Sequence, residues 1–405
     1  MSRPCAIGYA LLAMTAVTAW GEDLLDRLDD TLTFSGFNDQ LRARVSGTLD
    51  LEYYNFSDAA PGLIFSDDSY LLNSRLSLFF DAQVGPKIYL FSQARVDQGF
   101  DPSDHATQAR LDEYALRWTP SDDGRFNVQI GRFATVVGNY VQRHQSWENP
   151  FINAPLIYEN LTGIYDAEAP SDAKAFSEIL VDAKYEYNPV IWGPSYATGI
   201  SVSGQLGKFD YAAEIKNASL SSRPETWDAM DSSFDHPTVS ARVAYRPNMA
   251  WVIGFSASEG PYFTDQARST LPPGTGINDF NEMVLGQDVS FAWSHWQFWA
   301  EVYEARFDVP NVGNADTLGY YLEAKYKFTP NLFGALRWNQ QMFGDVPNGL
   351  GSEHPWGNGI SRSDAALTYR FTPHTQLKLQ YSLQHEDHLK DEISQLVAAQ
   401  FTLRF

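Results

Sequence analysis

The chain has 405 residues, of which 44% are hydrophobic and 14% aromatic, and its 50 acidic and 29 basic residues give a formal net charge of −21. This balance excludes a nucleic-acid partner, because the neutralisation of phosphates requires clustered Lys and Arg. The aromatic content argues against a disordered polar chain. The single cysteine, Cys5, excludes a disulfide framework and a cysteine-ligated metal site.

The N-terminus has the layout of a secretory signal peptide. Arg3 precedes an uncharged stretch over residues 5–20, and acidic residues follow at 22 and 23. Residues 19–21 fit a small-x-small cleavage motif, with 17–19 as a competing site. The stretch is shorter than the ~20 residues that a helix needs to span a bilayer. We therefore predict a signal peptide over residues 1–21 and an exported chain.

We predict that residues 22–36 form a separate short N-terminal segment. Leu24, Leu25, Leu28 and Leu32 recur among aspartates with a helical period, which predicts a short amphipathic helix. A plug, a contact within a trimer and a disordered leader are all compatible with this pattern.

From residue 37 onward the hydrophobic period is two rather than 3.6. Leu49, Leu51 and Tyr53 alternate with Asp50 and Glu52, which predicts a strand with one apolar and one polar face. Such blocks recur to the end of the chain.

Two kinds of connection alternate between the blocks. Short turns rich in Gly, Pro and Asn lie near 85–86, 120–124, 207–208, 247–248, 294–295, 330–331 and 373–374. Long loops cover 55–69, 98–108, 139–197, 218–236, 259–280, 307–316, 344–361 and 386–391. Seven turns and eight loops predict sixteen strands, and a hairpin hidden within 179–187 would raise the count to eighteen. The sequence therefore predicts an all-β transmembrane antiparallel β-barrel over 37–405, with short periplasmic turns and long extracellular loops.

Aromatic residues collect where the predicted strands meet the short turns. Amphipathic rings favour the headgroup level of a bilayer, whereas a soluble β-sandwich or propeller needs no such girdle. The set comprises Trp118, Phe126, Phe209, Tyr245, Trp251, Trp293, Trp296, Phe328 and Phe371.

The last block carries the most specific signal, because the chain ends on an alternating strand whose terminal residue is Phe405. It resembles the closing strand of Gram-negative outer-membrane proteins, which the barrel-assembly machinery recognises. Together with the signal peptide, the alternating blocks and the Phe-Thr-Pro turns at 328–330 and 371–373, it makes the chain similar to the bacterial porin superfamily. Residues 131–133 and 137–139 resemble the phosphate-selective porin group.

The polar faces of the strands predict the side chains that line a lumen. Charges of both signs on these faces imply water inside, because a charge on the lipid side costs ~2–4 kcal/mol near the midplane. The candidates on the early strands are Arg42, Arg44, Arg75, Arg95, Arg117, Arg132, Asp81 and Glu113. The resemblance implies an arginine ladder that faces carboxylates across the lumen, although acidic residues are interleaved with these arginines.

The third long connection, 139–197, is the longest, and in the porins that the chain resembles the third loop folds into the lumen and sets its width. Its first half is rich in proline, aromatic and polar residues. This composition favours a constriction loop with Arg143, His144, Glu148 and Glu159 as candidate contacts for solutes. An extracellular flap and a latch between subunits are the alternatives.

The resemblance implies a passive porin for small hydrophilic solutes or ions, embedded among outer-membrane lipid and lipopolysaccharide and assembled as a homotrimer. A phosphate or anion channel is the first alternative, because a guanidinium fork matches such ions bidentately. An outer-membrane enzyme or a structural surface protein is the second. Neither a cofactor nor catalysis is implied.

The predicted long loops together carry a formal charge of −21, equal to that of the whole chain. The acidity therefore belongs to the outer rim and to residues 22–36, and it does not predict a cation-selective lumen.

Overall fold

The computed structural model describes residues 24–405 apart from 29, 39, 58–63, 65, 67, 99–106, 180, 182–186, 224–232 and 388–392. The predicted signal peptide, 1–21, lies outside these residues. Most of the possible hairpin at 179–187 lies outside them as well.

Sixteen long strands form the wall of the molecule. Their alternating apolar and polar residues suit a sheet with one face on each side of a barrel wall. They are β2 (Leu41–Phe56), β3 (Tyr70–Val84), β4 (Ile88–Asp97), β5 (Gln108–Trp118), β6 (Asn127–Phe133), β7 (Ala197–Leu206), β8 (Phe209–Lys216), β9 (Thr238–Tyr245), β10 (Trp251–Pro261), β11 (Asn281–Trp293), β12 (Trp296–Val309), β13 (Gly313–Lys327), β14 (Leu332–Phe343), β17 (Ile360–Thr372), β18 (Thr375–Glu386) and β19 (Ile393–Arg404).

Each of these strands pairs antiparallel with its neighbours along the chain, and β19 pairs with β2, which closes the ring. The backbone N–H of the terminal Phe405 donates to the carbonyl of Gly47 (3.0 Å), and the N–H of Gly47 donates back to the carbonyl of Phe405 (2.9 Å). The predicted sixteen-stranded antiparallel barrel is confirmed. Three short strands accompany it: β1 (Thr33–Gly36) pairs with β2, and β15 (Asp345–Pro347) pairs with β16 (Glu353–Pro355) in the connection between β14 and β17.

The seven predicted short turns all lie at one end of the barrel, and the longer connections lie at the other end. One predicted loop is wrong in length, because 307–316 is a tight hairpin in which only residues 310–312 separate β12 from β13. Asn311 and Gly313 both have positive φ, which these residue types tolerate in a sharp reversal.

The alternating apolar and polar residues of each strand face opposite sides of the barrel wall. On β2, Leu51 and Tyr53 are 49% and 41% exposed, whereas Asp50 and Glu52 are 1% and 3% exposed. All nine aromatic residues of the predicted girdle are exposed on the outer surface near the short turns. The outer band is therefore apolar, as a lipid-facing surface requires, and the polar side chains point inward.

Helical structure is confined to short pieces. Within the N-terminal segment, residues 24–28 and 30–31 are helical, and Asp26 pairs with His374 at the turn between β17 and β18 (2.8 Å). The helix α1 (Ala173–Ser177) begins where the side chain of Asp172 accepts a hydrogen bond from the N–H of Ala175. No helix in the described part of the chain is long and apolar enough to cross a bilayer.

The largest apolar core lies inside the barrel at the long-loop end. The connection over residues 134–196, which we call the inward loop, packs there against β11 to β13 and against the loops over 262–280 and 344–359. Tyr158, Ile164 and Ile191 of the inward loop are at most 1% exposed. Because burial of such a side chain contributes about 1.5–3 kcal/mol, this part of the inward loop is a packed element inside the barrel.

Candidate functional site: the barrel lumen

The inward loop is fixed to the wall by a carboxylate on β12. Glu301 is fully buried and accepts hydrogen bonds from the backbone N–H groups of Asn139 and Tyr140 and from the hydroxyl of Tyr158 (2.7 Å). At Gly138, where φ is +73°, an added Cβ would lie 2.0 Å from the Tyr303 hydroxyl. Glycine is therefore required at this close approach of loop and wall.

Further along the same wall, charged side chains pair between loop and strands. Arg143 donates to Glu323 (2.6 Å) and to the hydroxyl of Tyr321 (3.0 Å). Glu159 accepts from Arg362, which also binds Asp364. These groups are almost fully buried, and pairing offsets the desolvation that an isolated charge would suffer.

A single ammonium group holds the tip of the inward loop. Lys378 of β18 donates to the carbonyl oxygens of Ser146 (2.9 Å), Asn149 (2.7 Å) and Phe151 (3.1 Å). All three donors of the ammonium are used, and the side chain is buried. The inward loop therefore covers the polar wall from β12 to β18.

The opposite wall stays open and borders two cavities. The outer chamber, about 240 Å³, lies in the long-loop half between the inward loop and β2 to β5. Its lining includes three arginines and four carboxylates, namely Arg75, Arg95, Arg110, Glu52, Asp97, Asp112 and Glu159.

The arginines of this wall pair with carboxylates of the same or an adjacent strand. Arg75 lies 3.1 Å from Asp50 and 2.7 Å from Glu52. Arg110 lies 2.6 Å from Asp97 and 2.8 Å from Asp112. Arg95 lies 3.0 Å from Asp112 as well. The expected ladder of arginines facing carboxylates across the lumen is therefore replaced by ion pairs within one wall.

The inner chamber, about 840 Å³, lies in the short-turn half. Glu113, which lines it, accepts from the N–H of Ala134 (3.1 Å), and Asp81 accepts from the hydroxyl of Tyr89. Arg117 donates twice to the amide oxygen of Gln129 (2.9 and 3.1 Å). No carboxylate in the described part of the chain forms an ion pair with Arg117.

Four side chains separate the two chambers, and we call this set the septum: Gln93 of β4 and His144, Gln145 and Tyr196 of the inward loop. The amide of Gln145 donates to the amide oxygen of Gln93 (3.2 Å), and the Tyr196 hydroxyl lies 3.3 Å from the same oxygen and 3.0 Å from His144 Nε2, to only one of which it can donate. His144 lines both chambers.

The tautomer of His144 follows from its neighbours. Its Nδ1 lies 2.5 Å from the carbonyl oxygen of Val141, which can only accept, so Nδ1 carries the proton. Nε2 then accepts from Tyr196 (3.0 Å) or Gln145 (3.0 Å). Burial lowers the pKa of His144 to about 4, so the ring is neutral at neutral pH.

Five of the eight wall residues predicted from the sequence line a chamber: Arg75 and Arg95 the outer one, Asp81, Glu113 and Arg117 the inner one. Arg42 and Arg44 point to the same side as Asp50 but are exposed at the short-turn mouth and line neither chamber.

Arg132 is 5% exposed and lines neither chamber, whereas the adjacent Phe133 lines the inner one.

The four loop residues predicted as contacts for solutes have different surroundings. His144 lines both chambers and Glu159 lines the outer one. Arg143 instead contacts Glu323 of the wall. Glu148 is exposed and lies between Ser146 and Asn149, whose carbonyl oxygens bind Lys378.

Sequence reasoning missed Arg110, Gln93, Gln145 and Tyr196. The alternation of Arg110 with Asp112 on one strand was a usable signal for the first. No sequence signal indicated the septum, since Gln93 and Tyr196 are 103 positions apart in the sequence.

Solved structures share this architecture. The outer membrane channel DcaP of Acinetobacter baumannii matches with a TM-score of 0.58 and 11% identity, over 92% of this chain and 100% of that chain. The fold is that of the outer-membrane porins. OmpT, an outer membrane protein of Vibrio cholerae in its trimer form, matches with a TM-score of 0.56 and 10% identity over 91% and 100% of the two chains. An anion-selective porin from Comamonas acidovorans matches with a TM-score of 0.54 and 12% identity over 90% and 100%.

At these identities the likeness is one of fold. No protein-family model and no curated protein matches the sequence.

Proposed function

We propose that the chain is an outer-membrane porin through which small hydrophilic solutes or ions diffuse passively. The observation that carries the proposal is the pair of chambers along one wall of the lumen, which together run from the long-loop half to the short-turn half and meet at the septum. Their lining is polar and charged, as a water-filled passage requires.

The outer surface supports a location in the outer membrane. An apolar band with aromatic residues at the short-turn rim suits a bilayer, and acidic long loops suit an outer leaflet of lipopolysaccharide bridged by divalent cations. In this orientation the short turns and residues 22–36 are periplasmic. Residues 1–21 would direct export, and the strand that ends at Phe405 would engage the barrel-assembly machinery.

A homotrimer is the assembly that we propose, because OmpT of Vibrio cholerae, which shares the fold, is described as a trimer form. No cofactor and no catalytic step is part of the proposal.

Planar-bilayer recording tests the proposal directly. Purified protein inserted into a bilayer in KCl should give stepwise current increments of uniform size. A heat-denatured sample of the same preparation is the control. Absence of any step from protein that circular dichroism shows to be folded would contradict a pore and favour a structural surface protein.

An anion-selective channel is the second candidate, and Arg117 favours it because its guanidinium faces the inner chamber without a carboxylate partner in the described part of the chain. The paired arginines of the outer chamber argue against a strong preference. A reversal potential in a KCl gradient separates the two candidates, and a cation preference would reject the anion channel.

A further inference from the structure

The outer chamber has a feature that a general diffusion pore does not need. Its arginines stand in front of their carboxylate partners: the side chain of Arg75 is 22% exposed and that of Arg95 is 17% exposed, whereas Asp50, Glu52 and Asp112 are at most 2% exposed. A solute in the chamber therefore meets guanidinium groups first, with the carboxylates behind them.

These guanidinium groups have unused donors. Arg95 contacts Asp112 through Nε, and neither terminal nitrogen of Arg95 has a partner in the described part of the chain. Arg75 uses Nε and Nη2, which leaves Nη1. The two terminal nitrogens of one guanidinium form a fork that fits the two oxygens of a carboxylate.

The charge of the lining limits the anion that fits. Arg75, Arg95 and Arg110 stand against Glu52, Asp97, Asp112 and Glu159, so the ionised lining carries a formal charge of −1. A monoanion can approach the exposed guanidinium groups, whereas a second negative charge on the same head group would be repelled by the carboxylates behind them. This argument favours a carboxylate over a phosphate.

Size and the remaining lining describe the rest of the solute. At 240 Å³ the chamber lies below the ~300–1,000 Å³ of sites for drug-sized ligands, so it suits a small acid. Tyr140, Trp192 and Tyr196 of the inward loop border it, and their rings offer an apolar surface to the body of such a molecule.

We propose that the outer chamber is a binding site for small monocarboxylates, with the carboxylate on the free fork of Arg95 and near Nη1 of Arg75, and an apolar or aromatic body against the rings of the inward loop. This deepens the proposed function, because it names the class of solute that the pore would hold above the septum.

Isothermal titration calorimetry on the purified full-length protein in detergent tests the site, with benzoate as the probe. Benzamide and benzylamine are its neutral and cationic counterparts of similar size, and inorganic phosphate tests the other anion. We expect saturable binding of benzoate, with the other three probes weaker by at least about tenfold. Benzamide and benzylamine lose the charge-assisted bidentate contact, whereas phosphate lacks the apolar body and its second charge is repelled by the carboxylates of the lining. Equal binding of benzoate and benzamide, or a preference for phosphate, would overturn the proposal.

Variants locate the site. Arg95→Gln should weaken benzoate binding by about tenfold or more, and Arg95→Lys should give an intermediate value because charge remains and the fork is lost. The fold should tolerate both, because Asp112 keeps Arg110 as a partner at 2.8 Å. Arg268→Gln removes a surface arginine that is paired with Asp265 and lines neither chamber, so its binding should equal that of the parent. Unchanged affinity in Arg95→Gln would reject the site.

The same protein in a bilayer separates this proposal from the porin function. Benzoate should reduce the KCl current of the parent and not that of Arg95→Gln. Binding of benzoate by protein that gives no current would support the binding site and reject the pore. Current that benzoate leaves unaltered, together with absent binding, would reject the site and retain the pore.

Discussion

The two walls of the lumen carry similar side chains and use them differently. On the wall from β12 to β18, the charges of Glu301, Glu323 and Lys378 are bonded to the inward loop. On the wall from β2 to β5, Arg75 and Arg110 are bonded to carboxylates of neighbouring strands and border a cavity. The path of the inward loop, rather than the composition of the strands, decides which charges hold the structure and which can meet a solute.

The comparison implies that changes on the covered wall should alter the width of the passage, whereas changes on the open wall should alter its selectivity. The largest effect is expected at Glu301. In Glu301→Ala, the N–H groups of Asn139 and Tyr140 and the Tyr158 hydroxyl lose their acceptor, and each buried donor left unpaired costs about 1–3 kcal/mol. The inward loop should detach, and single-channel conductance should rise by at least about twofold because conductance follows the open cross-section.

Glu304→Ala is the matched control, because Glu304 lies on the same strand and is exposed on the outer surface. It should conduct as the parent does. Equal conductance of Glu301→Ala and the parent would show that the inward loop does not limit the passage.

A smaller widening is expected at Lys378. Lys378→Met keeps the length of the side chain but leaves the carbonyl oxygens of Ser146, Asn149 and Phe151 without their donor. Because Glu301 still binds Asn139 and Tyr140, only the tip of the inward loop, residues 146–151, should loosen. Limited proteolysis should show faster cleavage near residues 146–151, with Lys327→Met, which changes an exposed lysine on β13, cleaved at the parent rate.

The open wall should respond in selectivity instead. Arg75→Gln leaves Asp50 and Glu52 without their cation, so the reversal potential in a KCl gradient should shift towards cation preference. Arg44→Gln removes a cation that is exposed at the mouth, where salt screens charges over about 10 Å at 0.1 M, so its shift should be smaller. Equal shifts in the two variants would show that the outer chamber does not select ions.

The sequence allowed the barrel to be predicted because strand alternation and turn chemistry are local. It did not allow the two walls to be distinguished, because the contacts that distinguish them join distant residues: Asn139 lies 162 positions from Glu301, and Ser146 lies 232 positions from Lys378. The ion pair of Arg75 with Asp50 depends on the register between β2 and β3, in which the two residues face each other. For the same reason, composition near the end of β6 does not reveal that Arg132 lines neither chamber.

The smallest expected effect concerns the septum, where the inward loop meets the open wall. Because burial lowers the pKa of His144 to about 4, below the ordinary value of about 6.5, the imidazole stays neutral and keeps its hydrogen bonds as the pH falls from neutrality to near 5. Conductance should therefore be constant over that range. Below about pH 4 the ring gains a proton on Nε2, where it now accepts from Tyr196 or Gln145, and its charge is repelled by Arg95 and Arg75 despite attraction by Asp112. The septum should then loosen, so that conductance rises at acid pH in the parent and not in His144→Gln. An acid response that persists in His144→Gln would assign it to carboxylates elsewhere in the lumen.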